Sequence, residues 1–301
     1  MPKLFFFILL LAACSKNTSV GDPPSPPGNG QDTTSSKPSP FLTTAYVEVN
    51  NNSFHNPGCY IYGNKARPVF AFAVIFAANI NAANGKPVLY FNPQVGATLN
   101  GGDISYLKSL GIKVLLTVLG NHQNAGWGCF ASYDAADSFA VQCANAVVSY
   151  GLDGIDIDDE YSACTTNPNS LVLALSALRA RLGPSKYITK ALYKDASYFS
   201  ASYNGKKAGD ILDFGWEMSY GNGDYAGRLS PYLQAGMPAG KLFVGVDIGG
   251  TDQAAAAGFV KLNGYAGLMT YNIGNASQTA LSLLTNVLFD TAAGVKPGCL
   301  Q

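Results

Sequence analysis

Between positions 150 and 161 the chain reads Tyr-Gly-Leu-Asp-Gly-Ile-Asp-Ile-Asp-Asp-Glu-Tyr, setting Asp153, Asp156, Asp158, Asp159 and Glu160 among apolar residues. Buried acids are costly unless they are paired, protonated or used. The isoleucines at 155 and 157 alternate with acids as in a strand, where side chains at i and i+2 share a face about 7 Å apart. Asp156, Asp158 and Glu160 therefore point one way, while Ile155, Ile157 and Asp159 point the other. Asp153 has outward parity at the strand's start and reads as a structural residue that holds a turn or backbone groups. Three carboxyls this close do not all ionise cheaply. A deep member is expected to have a raised pKa and to share a proton with its neighbour. That file suits an outermost acid, Glu160, which gives up a proton and later takes one back. A calcium loop is the competing use of an acid-rich run, but it needs turn glycines and backbone oxygens on irregular chain. The alternation predicts a regular strand instead.

Positioning that file requires a parallel sheet. Apolar, β-branched or aromatic runs recur at 44–49, 69–77, 113–119, 152–157, 187–192, 211–216, 242–246 and 264–271. Helical spacing appears between several of them, at 104–110, 135–150 and 170–182, with Gly111, Gly151 and Gly183 just beyond, where helix caps belong. Near-continuously apolar strands alternating with helices predict a parallel sheet covered on both faces. Eight strands in about 260 residues fit a closed (β/α)8 TIM barrel of the α/β class, with an open doubly wound sheet as the alternative. In a barrel, the inward file runs toward the C-terminal mouth with Glu160 outermost. Glycines 221, 223 and 227 lack the spacing of a nucleotide-binding loop.

The composition narrows the partners. The 301 residues carry 19 basic and 19 acidic side chains for a net charge of zero, and only 13% are charged. No basic run marks a phosphate footprint, so no nucleic acid is expected as a partner. With two histidines far apart in sequence, His55 and His122, and no C-x-x-C, neither a metal site nor a cofactor is expected. Residues 1–13 have the layout of a secretory signal, with Lys3, an apolar run over 4–11, then Ala12-Ala13 before Cys14. The Leu-Ala-Ala-Cys ending resembles a bacterial lipobox, which implies a diacylglycerol on Cys14 and a tether to the outer or cytoplasmic membrane. Residues 14–40 are rich in Pro, Ser and Gly and read as a disordered linker. Residues 41–301 are then a single barrel domain, expected to be a monomer. The localisation that follows is an exported, membrane-anchored lipoprotein at the cell surface or in the periplasm. Cys59, Cys129, Cys143, Cys164 and Cys299 make an odd set for an oxidising compartment, so at least one thiol is free or pairs elsewhere. Cys129 and Cys164 follow the third and fourth strands on the same rim and are candidates for a bridge.

Asp153-Gly-Ile-Asp156-Ile-Asp158-Asp-Glu160 matches the D-G-x-D-x-D-x-E signature of family 18 glycoside hydrolases. With "AYVEVNNNS" (45–53), "FAVIFAANIN" (72–81), "IKVLLTVLGNHQ" (112–123) and "MTYNIG" (269–274), the chain resembles one branch of that family over nearly all of 44–275. That branch is the bacterial endo-β-N-acetylglucosaminidases that cut N-glycans, high-mannose or hybrid chains among them.

The resemblance implies roles. Glu160 protonates the glycosidic oxygen, and the substrate's own 2-acetamido oxygen attacks the anomeric carbon. Asp158 orients the acetamido N–H, while Asp156 shares a proton with Asp158 and tunes it. Tyr220, in Met218-Ser-Tyr220, bonds the acetamido carbonyl. Asn121, Tyr193, Trp216, Glu217, Tyr271 and Asn272, at expected strand ends, are candidate sugar contacts, with Trp216 as the sugar's floor. Trp127 and Trp216 are the only tryptophans, few for the stacking cleft of a chitinase, which is the nearest enzymatic alternative. A non-catalytic glycan-binding lipoprotein on the same barrel is the other alternative, and it would typically lack the terminal glutamate.

Overall fold

The computed structural model describes residues 41–221 and 223–301. The expected signal peptide, Cys14 and the linker lie outside the described residues. Eight parallel strands form the barrel: β1 (Leu42–Glu48), β2 (Phe72–Ala83), β3 (Lys113–Gly120), β4 (Gly154–Asp158), β5 (Tyr187–Leu192), β6 (Phe214–Glu217), β7 (Leu242–Asp247) and β8 (Gly267–Tyr271). Each pairs with its neighbours in sequence, and β1 closes the ring by pairing with both β2 and β8. The closed barrel is therefore realised rather than the open sheet.

The helices around it are α1 (Pro93–Asn100), α2 (Asp103–Ser109), α3 (Tyr133–Ser149), α4 (Ser170–Leu182), α5 (Ala208–Ile211), α6 (Tyr225–Gln234), α7 (Gln253–Asn263) and α8 (Gln278–Phe289). Gly111, Gly151 and Gly183 all have positive φ, at 82°, 64° and 72°, so the residues expected to end helices do adopt the backbone that favours glycine. Apolar side chains divide by strand parity into two cores. Inside the barrel, Tyr46, Phe72, Val74, Leu115, Trp216, Phe243 and Met269 pack together. A larger core fills the layer between the barrel and the helices.

Three connections depart from strand–helix alternation. Between β1 and β2 stand a 3-10 turn (Asn56–Cys59) and strands Tyr60–Tyr62 and Arg67–Pro68, which form a sheet with the C-terminal strand Ala293–Val295. The Cys59–Cys299 disulfide fastens this patch. β2 overshoots the barrel and folds back through Asn84-Gly85 into the antiparallel strand Lys86–Tyr90. Between β5 and β6 the helix shrinks to the single turn α5, preceded by a small hairpin that turns at Asn204-Gly205. Both Asn-Gly pairs have positive φ at each residue, as tight hairpin turns require.

Candidate active site

The register of the barrel builds the site. Asp156 on β4 lies beside Thr117 on β3 and Thr189 on β5 in the strand ladders. All three share inward parity, and Tyr46 from β1 and Trp216 from β6 reach across the interior to join them. The Asp156 carboxylate accepts from the Tyr46 hydroxyl at 2.6 Å and Thr117 at 2.7 Å on one oxygen. Its other oxygen accepts from Thr189 at 2.6 Å and the Trp216 indole N–H at 2.7 Å. Burial raises the Asp156 pKa, and the four bonds oppose that rise.

A carboxylate has about four acceptor positions, and these donors fill them. Among the described residues no hydrogen bond joins Asp156 to Asp158, so the expected shared proton is not found: the oxygens that would hold it are occupied.

Asp158, two residues on, is 2% exposed, and its Oδ1 accepts the Glu160 backbone N–H at 3.1 Å. Burial pushes its pKa up to about 7, against the pull of that N–H; the Glu160 charge adds to the rise and the Lys190 charge opposes it. Glu160 follows the end of β4 and is partly exposed at the mouth. Its pKa is raised by burial and by Asp159, with Lys190 opposing. Gly120 at the end of β3 admits this segment: a Cβ there would collide with the Glu160 carbonyl oxygen. Tyr220 stands near Asp158, its ring stacked on Tyr271 at 5.7 Å between centroids. Burial, then Tyr271 and Asp158, push its hydroxyl well above the usual tyrosine range.

The remaining sequence candidates fall into two groups. Asn121 is partly exposed at the rim and donates to Asn81 at 2.7 Å. Tyr193 is 43% exposed after β5 with Lys194 over its ring, and Tyr271 is partly exposed beside Tyr220. In the second group, Trp216 and Glu217 are buried and Asn272, though partly exposed, has its side-chain amide committed to other residues. Trp216 is fully buried against Phe72, Phe214 and Phe243, because its inward parity in a packed barrel makes it core and a donor to Asp156. Glu217 is 2% exposed on the opposite face, where Arg228 of α6 and the Ser219 N–H hold its carboxylate. Asn272 is spent on β1: its side-chain oxygen accepts from the Glu48 N–H at 2.8 Å and its amide donates to the Glu48 carboxylate at 3.2 Å.

Outside the file, Asp153 is structural, accepting the Val114 N–H at 2.9 Å and pairing with Lys108. Asp159 contacts a residue that sequence reasoning missed. Lys190 on β5 is fully buried, 3.1 Å from Asp159 and 2.6 Å from Asp195, and Asp195 in turn meets the Tyr232 hydroxyl of α6. Tyr46, Thr117 and Thr189 were also missed, although strand parity alone places them on the inner face. Cys129 and Cys164 are bridged on the rim, and Cys143 is free and buried. His55, Cys59 and Cys299 cluster closely enough for a metal, but both sulfurs are spent in a disulfide.

A partly exposed carboxyl with a raised pKa, backed by a buried acid titrating near neutrality, can protonate a leaving oxygen in the mouth and take the proton back. The sequence relatives agree with that chemistry. The chain is 39% identical over 93% of its length to an endo-β-N-acetylglucosaminidase of a Flavobacterium species, covering 90% of that protein. It is 34% identical over 64% of its length to endo-β-N-acetylglucosaminidase F1 of Elizabethkingia meningoseptica, covering 60% of it. Crystal structures of Bacteroides thetaiotamicron EndoBT-3987, with a Man5GlcNAc product and with a Man9GlcNAc2Asn substrate, share the fold at a TM-score of 0.72 and 22% identity. They match over 85% of this chain and 62% and 67% of theirs. With the family model of the glycosyl hydrolases family 18 matching residues 66–280 as well, the chain belongs to that family and is a glycoside hydrolase.

Proposed function

We propose that the protein is an endo-β-N-acetylglucosaminidase that hydrolyses the β1,4 bond between the two core N-acetylglucosamines of an N-glycan, leaving one sugar on the asparagine. Glu160 gives its proton to the glycosidic oxygen while the substrate's 2-acetamido oxygen attacks the anomeric carbon, forming an oxazolinium. Water then opens that ring as Glu160 takes a proton back, and the anomeric configuration is retained. Asp158, ionised in this step, accepts the acetamido N–H and offsets the developing positive charge. Tyr220 donates to the acetamido oxygen. Asp156 does not exchange protons; its four donors hold its carboxylate in the barrel interior and tie β4 to β1, β3, β5 and β6.

One observation carries this reading: β4 ends on a buried carboxyl whose pKa is pushed up to about 7, and Glu160, two residues on and partly exposed, also has a raised pKa. The Flavobacterium and Elizabethkingia relatives supply the bond, and the Man9GlcNAc2Asn complex of EndoBT-3987 favours high-mannose chains. Both tryptophans are buried, Trp127 at 1% and Trp216 at 0% exposed, so neither offers the stacking face of a chitin cleft. Asn121, Tyr193 and Tyr271 are the sugar contacts in this reading. The enzyme is a monomer, exported and tethered to the membrane through Cys14.

The test is to incubate the purified chain with glycoproteins bearing high-mannose, hybrid and biantennary complex glycans, and with chitin oligosaccharides, and to weigh what is released. High-mannose glycans ending in one N-acetylglucosamine are the expected products. Glu160→Gln should release none while still binding glycan; turnover at the wild-type rate in that variant rejects the assignment.

A further inference from the structure

Lys190 is the only charged side chain among the described residues with basic chemistry and no exposure at all. It sits on the outer face of β5, opposite Ile157 in the ladder, where the layer between barrel and helices is built mostly from aliphatic and aromatic residues. A buried ammonium is expensive, and replacing a buried ion pair by well-packed apolar residues is often neutral or stabilising. Stability alone therefore does not account for a lysine here.

Its contacts point toward the chemistry. The ammonium lies 3.1 Å from Asp159, 2.6 Å from Asp195, and donates to the Ala191 carbonyl at 2.9 Å. Asp159 is the residue immediately before Glu160, at the point where β4 ends and the chain turns. Asp195 follows β5 and is tied to the Tyr232 hydroxyl of α6. Three elements are thus cross-linked through one cation, and the turn bearing Glu160 is among them.

We propose that Lys190 is a positioning residue for Glu160: by clamping Asp159 from behind the barrel wall it fixes the turn that aims the acid, and it sets one positive charge behind the acid file. This rests on Glu160 being the proton donor. The charged and titratable groups facing the ammonium are Asp159, Asp158 and Glu160 from the β4 segment and Asp195 from the β5 loop, with Tyr232 beyond Asp195. Those facing the Glu160–Asp158 pair are Asp159, Asp156, Tyr46, Tyr220 and Lys190, so Lys190 is the single cation among them. A positive charge favours the ionised form of a neighbouring acid. Its removal leaves Asp159 and Asp195 uncompensated, which acts in the same direction on Asp158 and Glu160.

The experiment compares Lys190→Met, Asp159→Asn and Glu160→Gln in the full chain on a high-mannose glycopeptide. The readouts are kcat and KM separately, the pH profile of kcat/KM, and circular dichroism for folding. Lys190→Met should lower kcat by about 10- to 100-fold, the scale of a small misplacement of a reacting group. Its KM should stay within about threefold, and its pH profile should move to higher pH. Asp159→Asn, which keeps the lysine charge but loosens the clamp, should lower kcat with a smaller displacement of the profile. A folded Lys190→Met with a wild-type profile, or one whose only change is a higher KM, overturns the proposal. If Lys190→Met does not fold, Asp159→Asn decides, and wild-type kcat in that variant overturns it. Loss of turnover in Glu160→Gln beside wild-type behaviour in the other two rejects the role of Lys190 alone. Full turnover in Glu160→Gln rejects the reading of the site, and this proposal with it.

Discussion

Strand β4 solves one problem in two ways, once on each face. Inside the barrel, Asp156 is surrounded by neutral donors, two threonines, a tyrosine and a tryptophan. Outside it, Asp159 meets the buried ammonium of Lys190. Neutral donors stabilise a carboxylate less than a cation does, and the inner acids keep raised pKa values, Asp158 up to about 7. On the inner face Asp158 and Glu160 are therefore set for moving protons, while the outer face is set for holding geometry. Composition alone does not separate the two faces; the distinction lies in which partners the neighbouring strands present to each.

The sharpest way to break the inner face is to remove the charge of Asp158 while keeping its shape. Asp158→Asn should lower kcat by about 100- to 1000-fold, the loss seen when one preorganised electrostatic partner of a transition state is removed. KM should change little, because the acetamido group is still accommodated. A variant that loses affinity but keeps kcat would make Asp158 a ligand contact only. Next in size is Gly120→Ala. A Cβ there collides with the Glu160 backbone rather than with a side chain that can swing away, so the turn must shift. A kcat loss of about tenfold or more is expected, with the Asp156 network intact. Unchanged kinetics would show that the aim of Glu160 tolerates displacement.

The barrel was legible from sequence because its signals are local. Eight apolar runs, three helical stretches and three capping glycines need only short windows, and each is close to its observed place. The two hairpins were legible in principle, since Asn84-Gly85 and Asn204-Gly205 are turn dipeptides flanked by strand-like residues. Neither segment shows the long apolar run that marks the barrel strands, so the hairpins were not read from the sequence. At the site, parity separated Asp156, Asp158 and Glu160 from Asp159, but parity gives direction and not partner. Trp216 and Glu217 illustrate the limit. Both end a strand at the mouth, yet one is packed in the barrel and the other is held by Arg228. Lys190 was invisible for the same reason: a lone lysine in a strand reads as solvated until the ladder places it behind an acid.

The raised acids also leave a signature in stability. An acid whose pKa is higher folded than unfolded binds more protons in the native state, so stability falls as pH rises from the unfolded value to the folded one. For Asp158 that window runs from 3.8 to about 7. Wild type should therefore lose stability across it relative to Asp158→Asn, by on the order of 4 kcal/mol at full ionisation. Denaturant unfolding of both proteins at pH 4.5 and 7.5 measures the difference. Equal slopes would show that Asp158 is ionised already at acid pH, and that the two faces of β4 do not differ in the way described.

The smallest test uses two adjacent residues. Thr189 and Lys190 are neighbours on β5 that point to opposite faces and serve opposite acids, Asp156 and Asp159. Thr189→Val keeps the volume and removes one of the four donors to Asp156, leaving three. A buried bond to a charged acceptor is worth about 1.5–3 kcal/mol, so the expected cost is a fall in Tm of several degrees for a domain of this size. Turnover should change by less than about threefold, since Asp158 and Glu160 keep their own contacts. Lost donors inside should thus reduce stability and spare kcat, whereas a lost cation outside should reduce kcat. If Thr189→Val instead cuts turnover as deeply as Lys190→Met, then Asp156 takes part in proton movement after all. The division between a face that moves protons and a face that holds geometry would then have to be drawn between Asp156 and Asp159 by some property other than the charge of their partners.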